Sequence, residues 1–456
     1  MYLYNIKYKN IKEYYNKISP VFFRISSYVF IAILFYYFME TYSPLGIKWR
    51  PFHYERVFNS VGNILENPVL NFIGYTSFDN IQDVSKNLET KLGEIYLVPS
   101  PAYLFYAFLY KFIPNFQLYE FGSFLDFILI SILGFLVAEL GLYVMEIGLK
   151  FESIFYGSIV FSLFITSPWS YRMILAPWHE VTFLTFYLLS IFLFINNKKY
   201  LGLFFVFLSG LMHWIWIFFL LIFLIFIKLI NTFLKNLLDK DYSYRYLPNT
   251  LQNKEGFYLY SIACFLPILW QIFQTLLLKI MSIEHSGSSV LSRIGIDSYS
   301  NIHHGGIIAA FQFLGGNRYN LCFNNSNLNN LSNLKKYISY FNCSMSITSL
   351  VFLSILSILG LVILLKNSSK AKWMFAPLSW SLIFFCLLFQ QSFAVHLQGH
   401  SLIFAYIFAV NIVYFFKNIA KSLAIPKIFE ILIMIPITTG ILINSIRVSF
   451  ITGING

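Results

Sequence analysis

Five stretches of this 456-residue chain gather the side chains that acid–base and phosphate chemistry use. KWRPFHYERV (48–57) holds Arg50, His53, Glu55 and Arg56, and Asp79 and Asp83 follow it. SPWSYRMILAPWHEV (167–181) carries Arg172, His179 and Glu180. SGLMHW (209–214) contains His213. HHGGIIAAFQFLGGNRYNLC (303–322) holds His303, His304 and Arg318, and QQSFAVHLQGHS (390–401) adds His396 and His400. A carboxylate in such a group orients or deprotonates a hydroxyl. Cations, or a divalent metal ion, stabilise a departing phosphate, and the planar arginine fork suits that anion. Aromatic faces accept ring faces and apolar tails. Signatures of soluble enzymes are missing: there is no phosphate-binding Walker loop, no dinucleotide fingerprint, no HExxH and no CxxC.

The elements that position these groups are set by hydropathy. The chain is 58% hydrophobic and 11% charged, against about 25% charged in a soluble domain. Apolar runs of about 17–25 residues match the length that spans a bilayer, and in lipid such runs must be helices. They do not alternate in polarity as barrel strands would. The expected fold is therefore all-α, a single polytopic domain over 1–456. About eleven spans are expected, at 25–41, 120–147, 151–167, 178–195, 201–212, 213–230, 257–280, 346–366, 373–393, 400–417 and 428–447.

Lysine and arginine fix the expected orientation. The positive-inside rule puts the basic start (Lys7, Lys9, Lys12, Lys17, Arg24), 196–200, 231–256, 366–372 and 417–427 in the cytoplasm. The start reads as an inside segment leading into a signal anchor, because no small-residue cleavage site follows it. Parity then makes 98–113 a short interfacial helix rather than a span. It also requires that 201–230 break into two helices near SGLMHW. Two large loops, 42–119 and 281–345, face outward, and all eight histidines fall on that side. The net charge of +12 sits mainly in the short inner loops, so no nucleic-acid partner is implied. Glu139 is the clearest mid-span charge. Cys322 and Cys343 share the second outer loop, where an oxidising compartment would let them pair.

This order of features resembles the GT-C class of membrane glycosyltransferases. The resemblance covers about residues 20–230. It rests on a first span followed by an outer loop with an early acidic residue (Glu55 in HYERV) and on the proline-led VPSPAYLFY (98–106). An outer turn, SPWSYRMILAPWHE, then opens a span, and a basic inner turn, NNKKY, precedes the hairpin LGLFFVFLSGLMHW (201–214). Members often show an Asp-based acidic pair in the first loop, whereas this chain offers Glu55 with Asp79 and Asp83 further on. The resemblance implies transfer of a sugar from a polyprenyl-phosphate donor to a glycan, lipid or protein acceptor. It makes Glu55, Asp79 and Asp83 the candidate catalytic carboxylates. Arg50, His53, Arg56, Arg172, His179, Glu180, His213, His303, His304, Arg318, His396 and His400 become candidate substrate contacts. The expected location is a bacterial inner membrane. Two rivals make different demands. An envelope polysaccharide polymerase or ligase would place its essential residues in 281–345. A lipid-linked glycan transporter or flippase would need ionisable groups in mid-span and two related halves.

Overall fold

The computed structural model describes residues 2–42, 75–77, 97–99, 118–148, 151–175, 179–234, 243–280, 333–388 and 393–454. They form twelve α-helices. In chain order these are α1 (Tyr2–Tyr42), α2 (Leu118–Val144), α3 (Phe151–Ile165), α4 (Pro168–Leu175), α5 (His179–Ile195) and α6 (Lys199–Met212). There follow α7 (Trp214–Leu234), α8 (Lys254–Ile280), α9 (Asn333–Asn367), α10 (Ser369–Leu388), α11 (Phe393–Ser422) and α12 (Lys427–Ile454). Seven helices, α1, α2, α7, α8, α9, α11 and α12, are long and apolar enough to cross a membrane. The protein is a helical, multi-pass membrane protein. The remaining expected spans fall on α3, α5, α6 and α10, of 15, 17, 14 and 20 residues.

One element departs from the all-α expectation. Tyr75–Ser77 (β1) pairs antiparallel with Leu97–Pro99 (β2), with Thr76 opposite Val98. Residues 98 and 99, expected to open a short helix, are therefore strand. The ladder exploits the β-propensity of Tyr, Thr, Leu and Val, a signal outweighed in the sequence by the long apolar run behind it.

Three tight turns close helices in the same way. Glu146, Asn197 and Ala424 have positive φ (57°, 59° and 53°). In each turn the next amide reaches back five residues: Ile147 to the Leu142 carbonyl, Lys198 to Leu193, Ile425 to Ala420. This is the Schellman cap, which normally uses glycine. It joins α2 to α3, α5 to α6 and α11 to α12.

The expected break in 201–230 is present. His213 is an extended residue (φ −152°) between α6 and α7. Lys199 Nζ bonds Glu255 Oε1 at 3.0 Å, and Lys228 Nζ lies 5.7 Å from the Phe257 ring centre. The start of α6 and the end of α7 thus meet the same first turn of α8, so the chain reverses at His213. Gly210 makes the reversal tight: a Cβ there would lie 2.5 Å from the Pro267 ring of α8.

The core is built around α11, whose residues 402–413 are all buried. Trp169 of α4 packs edge-on against Phe404, with ring centres 4.8 Å apart, and Phe375 of α10 stacks on Tyr406 at 4.8 Å. On α9, Gly360 lets the backbone of α11 approach, since a Cβ there would sit 2.3 Å from the Asn411 carbonyl oxygen. Ser357 donates to the Ile407 carbonyl at 3.3 Å beside that crossing.

Candidate functional site

Ion pairs and expected site residues among the described residues separate toward opposite ends of the bundle. At one end the tight turns carry ion pairs: Lys370–Glu146 at 3.2 Å, Lys427–Glu152 at 3.1 Å and Lys199–Glu255 at 3.0 Å. Beside them Tyr156 donates to Glu430, and Lys417 Nζ lies 5.1 Å from the Tyr156 ring centre. These residues belong to, or adjoin, the segments that the lysine distribution assigns to the cytoplasm.

Slightly deeper at this end is a buried bidentate pair. Arg24 Nε and Nη2 donate to the two carboxylate oxygens of Glu139 at 2.6 and 2.8 Å. Arg24 Nη1 donates to Ser153 Oγ at 2.9 Å, and the Tyr28 hydroxyl donates to Glu139 Oε1 at 3.1 Å. Arg24 is 4% exposed. The mid-span charge that stood out in the sequence is thus an intramolecular partner of the first helix. Residues 115 positions apart have no sequence pattern that announces the pairing. Each was conspicuous alone, Arg24 as part of the basic start and Glu139 as an isolated acid.

The opposite end holds the described part of the expected site. Ser167 caps α4: its Oγ accepts from the Ser170 amide at 3.2 Å, with Pro168 at the first helical position. The Ser-Pro pair signals this helix within the stretch expected to form an outer turn. Arg172 lies on α4, and α4 packs against α2, α11 and α12. His179 and Glu180 are the first residues of α5, and His396 and His400 lie on the first two turns of α11. α11 packs on both α4 and α5.

His213 is the one expected site residue with a described side chain environment. It is 5% exposed and sits with its ring centre 6.0 Å from Phe183 and 6.4 Å from Trp216. Phe183 is one turn along α5 from His179, so the α6–α7 corner and the N-terminus of α5 are neighbours. At 1.5 Å per residue α6 extends about 21 Å and α5 about 25 Å, against about 30 Å of hydrocarbon. Both start from the 196–198 turn at the lysine-bearing end. Their far ends, the N-terminus of α5 and the buried corner at His213, therefore lie together at the end away from that turn.

Arg50, His53, Glu55, Arg56, Asp79, Asp83, His303, His304 and Arg318 lie outside the described residues. No group of three or more His, Cys, Asp or Glu side chains positioned to hold a metal ion occurs among the described residues. Cys343, near the start of α9, is disulfide-bonded, and Cys264 is a free buried thiol. No protein-family model matches this chain, and no curated protein matches it significantly.

Proposed function

We propose that this protein is a membrane glycosyltransferase that moves a sugar from a polyprenyl-phosphate donor to an acceptor on the outer side of a bacterial inner membrane. The observation that carries the reading is the buried corner at His213, packed against Phe183 of α5. It lies at the end of the bundle opposite the lysine-bearing turns, and the helices that carry Arg172, His179, Glu180, His396 and His400 share that end. That end suits a substrate whose phosphate sits at the headgroup level and whose tail lies in hydrocarbon. Histidine and arginine would meet the phosphate, and a carboxylate of 42–119, with Glu55 first, would activate the acceptor.

The orientation has two supports. The lysine-bearing turns are retained inside by the positive-inside rule. The disulfide at Cys343 belongs to an oxidising compartment, and Cys343 stands 25 residues, about 37 Å of helix, from the inner turn after Asn367. Eleven crossings result, with 42–119 and 281–345 outside, and Cys322 is the partner expected for Cys343. The transporter reading is weakened, because Glu139 is engaged by Arg24 rather than left for a moving ion or substrate.

The test is transfer in proteoliposomes supplied with a polyprenyl-phosphate sugar. Glu55→Gln keeps the side-chain shape and removes its charge, and loss of general-base help lowers the rate about 10²–10⁴-fold. Retained activity in Glu55→Gln, Asp79→Asn and Asp83→Asn alike would remove the first loop from the mechanism. Essential residues confined to 281–345 would favour the polymerase reading.

A further inference from the structure

The first helix leaves a groove against the rest of the bundle. α1 packs along α3 through Tyr28, which stacks on Phe161 with ring centres 5.0 Å apart. It meets α2 mainly through aromatic edges: Tyr28 with Phe135 at 5.8 Å, and Tyr36 with Phe124 and Phe127 at 5.6 and 5.2 Å. Between these contacts runs a cleft of about 460 Å³. Ile25, Val29, Ile33, Ile128 and Ile132 are among its lining, and Ser131 is one of its few polar residues. The Ser131 hydroxyl is turned to the Phe127 carbonyl of its own helix at 2.8 Å, so even that group offers the cleft little polarity.

Three features define what fits. Both walls belong to helices long and apolar enough to cross a membrane, so the cleft lies at hydrocarbon depth. Along α1 it extends from Ile25 to Tyr36, about 16 Å at 1.5 Å per residue, or roughly half the hydrocarbon thickness. Its inner end is blocked, because the Arg24–Glu139 pair bridges the same two helices immediately beyond Ile25. An occupant must therefore be apolar, unbranched by polar groups, and no longer than one leaflet is deep. A long polyprenyl tail exceeds that depth several-fold, whereas a fatty acyl chain matches it.

We infer that the α1–α2 groove is a binding site for one acyl chain of a membrane phospholipid. The chain enters from the end of the groove away from the Arg24–Glu139 pair, beyond Tyr36 of α1. The site is independent of the transfer reaction proposed above.

The test uses the full-length protein in phosphatidylcholine vesicles containing a phosphatidylcholine with a diazirine on its acyl chain. After illumination, adducts should concentrate on 25–36 and 124–135, relative to the exposed apolar face of α12 at Ile428, Leu432 and Ile435. Ser131→Phe, and the milder Ser131→Leu should the first variant fail to fold, should fill the groove. Either should cut groove adducts about fivefold or more and leave α12 adducts unchanged. Equal labelling of groove and α12 face overturns the proposal, as does labelling that survives groove filling in a folded variant. Displacement by an equal mole fraction of polyprenyl phosphate would assign the groove to an isoprenoid and overturn the acyl site. Protection from labelling together with α1–α1 cross-linking would assign it to a second copy and overturn it equally.

Discussion

Removing the Glu139 carboxylate is the sharpest probe of the packing that holds α1. Glu139→Ala deletes three of the four hydrogen bonds in the cluster, the two from Arg24 and the one from Tyr28. Arg24 would be left buried with Ser153 as its partner in the cluster. Three bonds to a charged group, at about 1.5–3 kcal/mol each, set an upper bound that non-additivity reduces. Breaking one side of a buried pair costs about 3–5 kcal/mol, and that is the expected loss. Arg24→Met alone should cost a similar amount, because it leaves Glu139 uncompensated. The double variant Arg24→Met/Glu139→Leu removes both charges and fills the space. The Tyr28 hydroxyl then loses its carboxylate acceptor and Ser153 its guanidinium donor, at about 1–2 kcal/mol. Equilibrium unfolding in mixed micelles, followed by tryptophan fluorescence, measures all three. The two single losses should exceed the double by several kcal/mol. Additive losses, or a Glu139→Ala variant within about 0.5 kcal/mol of the parent, would show that the pair does not hold α1 to α2 and α3.

Three further outcomes are expected. Gly157→Ala places a methyl group 2.2 Å from the Tyr28 hydroxyl. It should cost about 1–3 kcal/mol by overpacking, and Tyr28→Phe in the same chain should relieve part of that, read by the same unfolding cycle. Gly360→Ala meets a backbone oxygen of α11 at 2.3 Å, which no rotamer change can clear. Its loss should equal or exceed that of Gly157→Ala, measured by unfolding and by cross-linking between α9 and α11. In intact cells, Ser77→Cys and Ser288→Cys should react with an impermeant maleimide, whereas Ser369→Cys should react only after the membrane is opened. The reverse pattern would invert the proposed orientation.

Much of the helical layout was legible because burial in lipid leaves few choices. Seven of the expected spans fall on helices long and apolar enough to cross a membrane, and the break at His213 followed from charge parity alone. What stayed hidden depends on contacts rather than on composition. The α4 helix is short and partly polar, so no hydropathy pattern marks it, although its Ser167-Pro168 cap was readable. The β1–β2 ladder joins residues about twenty positions apart, and a three-residue strand has no period to detect. Arg24 and Glu139 each looked like an exception to the apolar rule, and only the packing of α1 beside α2 makes them one feature. For the candidate site, sequence named the residue types, and the fold adds that α4, the start of α5, the His213 corner and the start of α11 share one end. The packing of the His213 ring against Phe183 and Trp216 depends on contacts that no sequence pattern marks.

The polar links of the lysine-bearing end also impose an order on assembly. Arg24 reaches partners 115 and 129 residues later in the chain, whereas Tyr156 and Glu152 wait for Glu430 and Lys427, 274 and 275 residues later. At about 5–20 residues per second of synthesis, Glu139 follows Arg24 by on the order of 10 s, and Glu430 follows Tyr156 by about 14–55 s. The guanidinium on α1 is neutralised as soon as α2 is made, so the first three helices acquire their internal charge balance early. The face of α3 that carries Glu152 and Tyr156 stays open through the making of eight more helices. A ribosome stalled before residue 427 would therefore hold a bundle already tied at its first helix and still unlatched at its last.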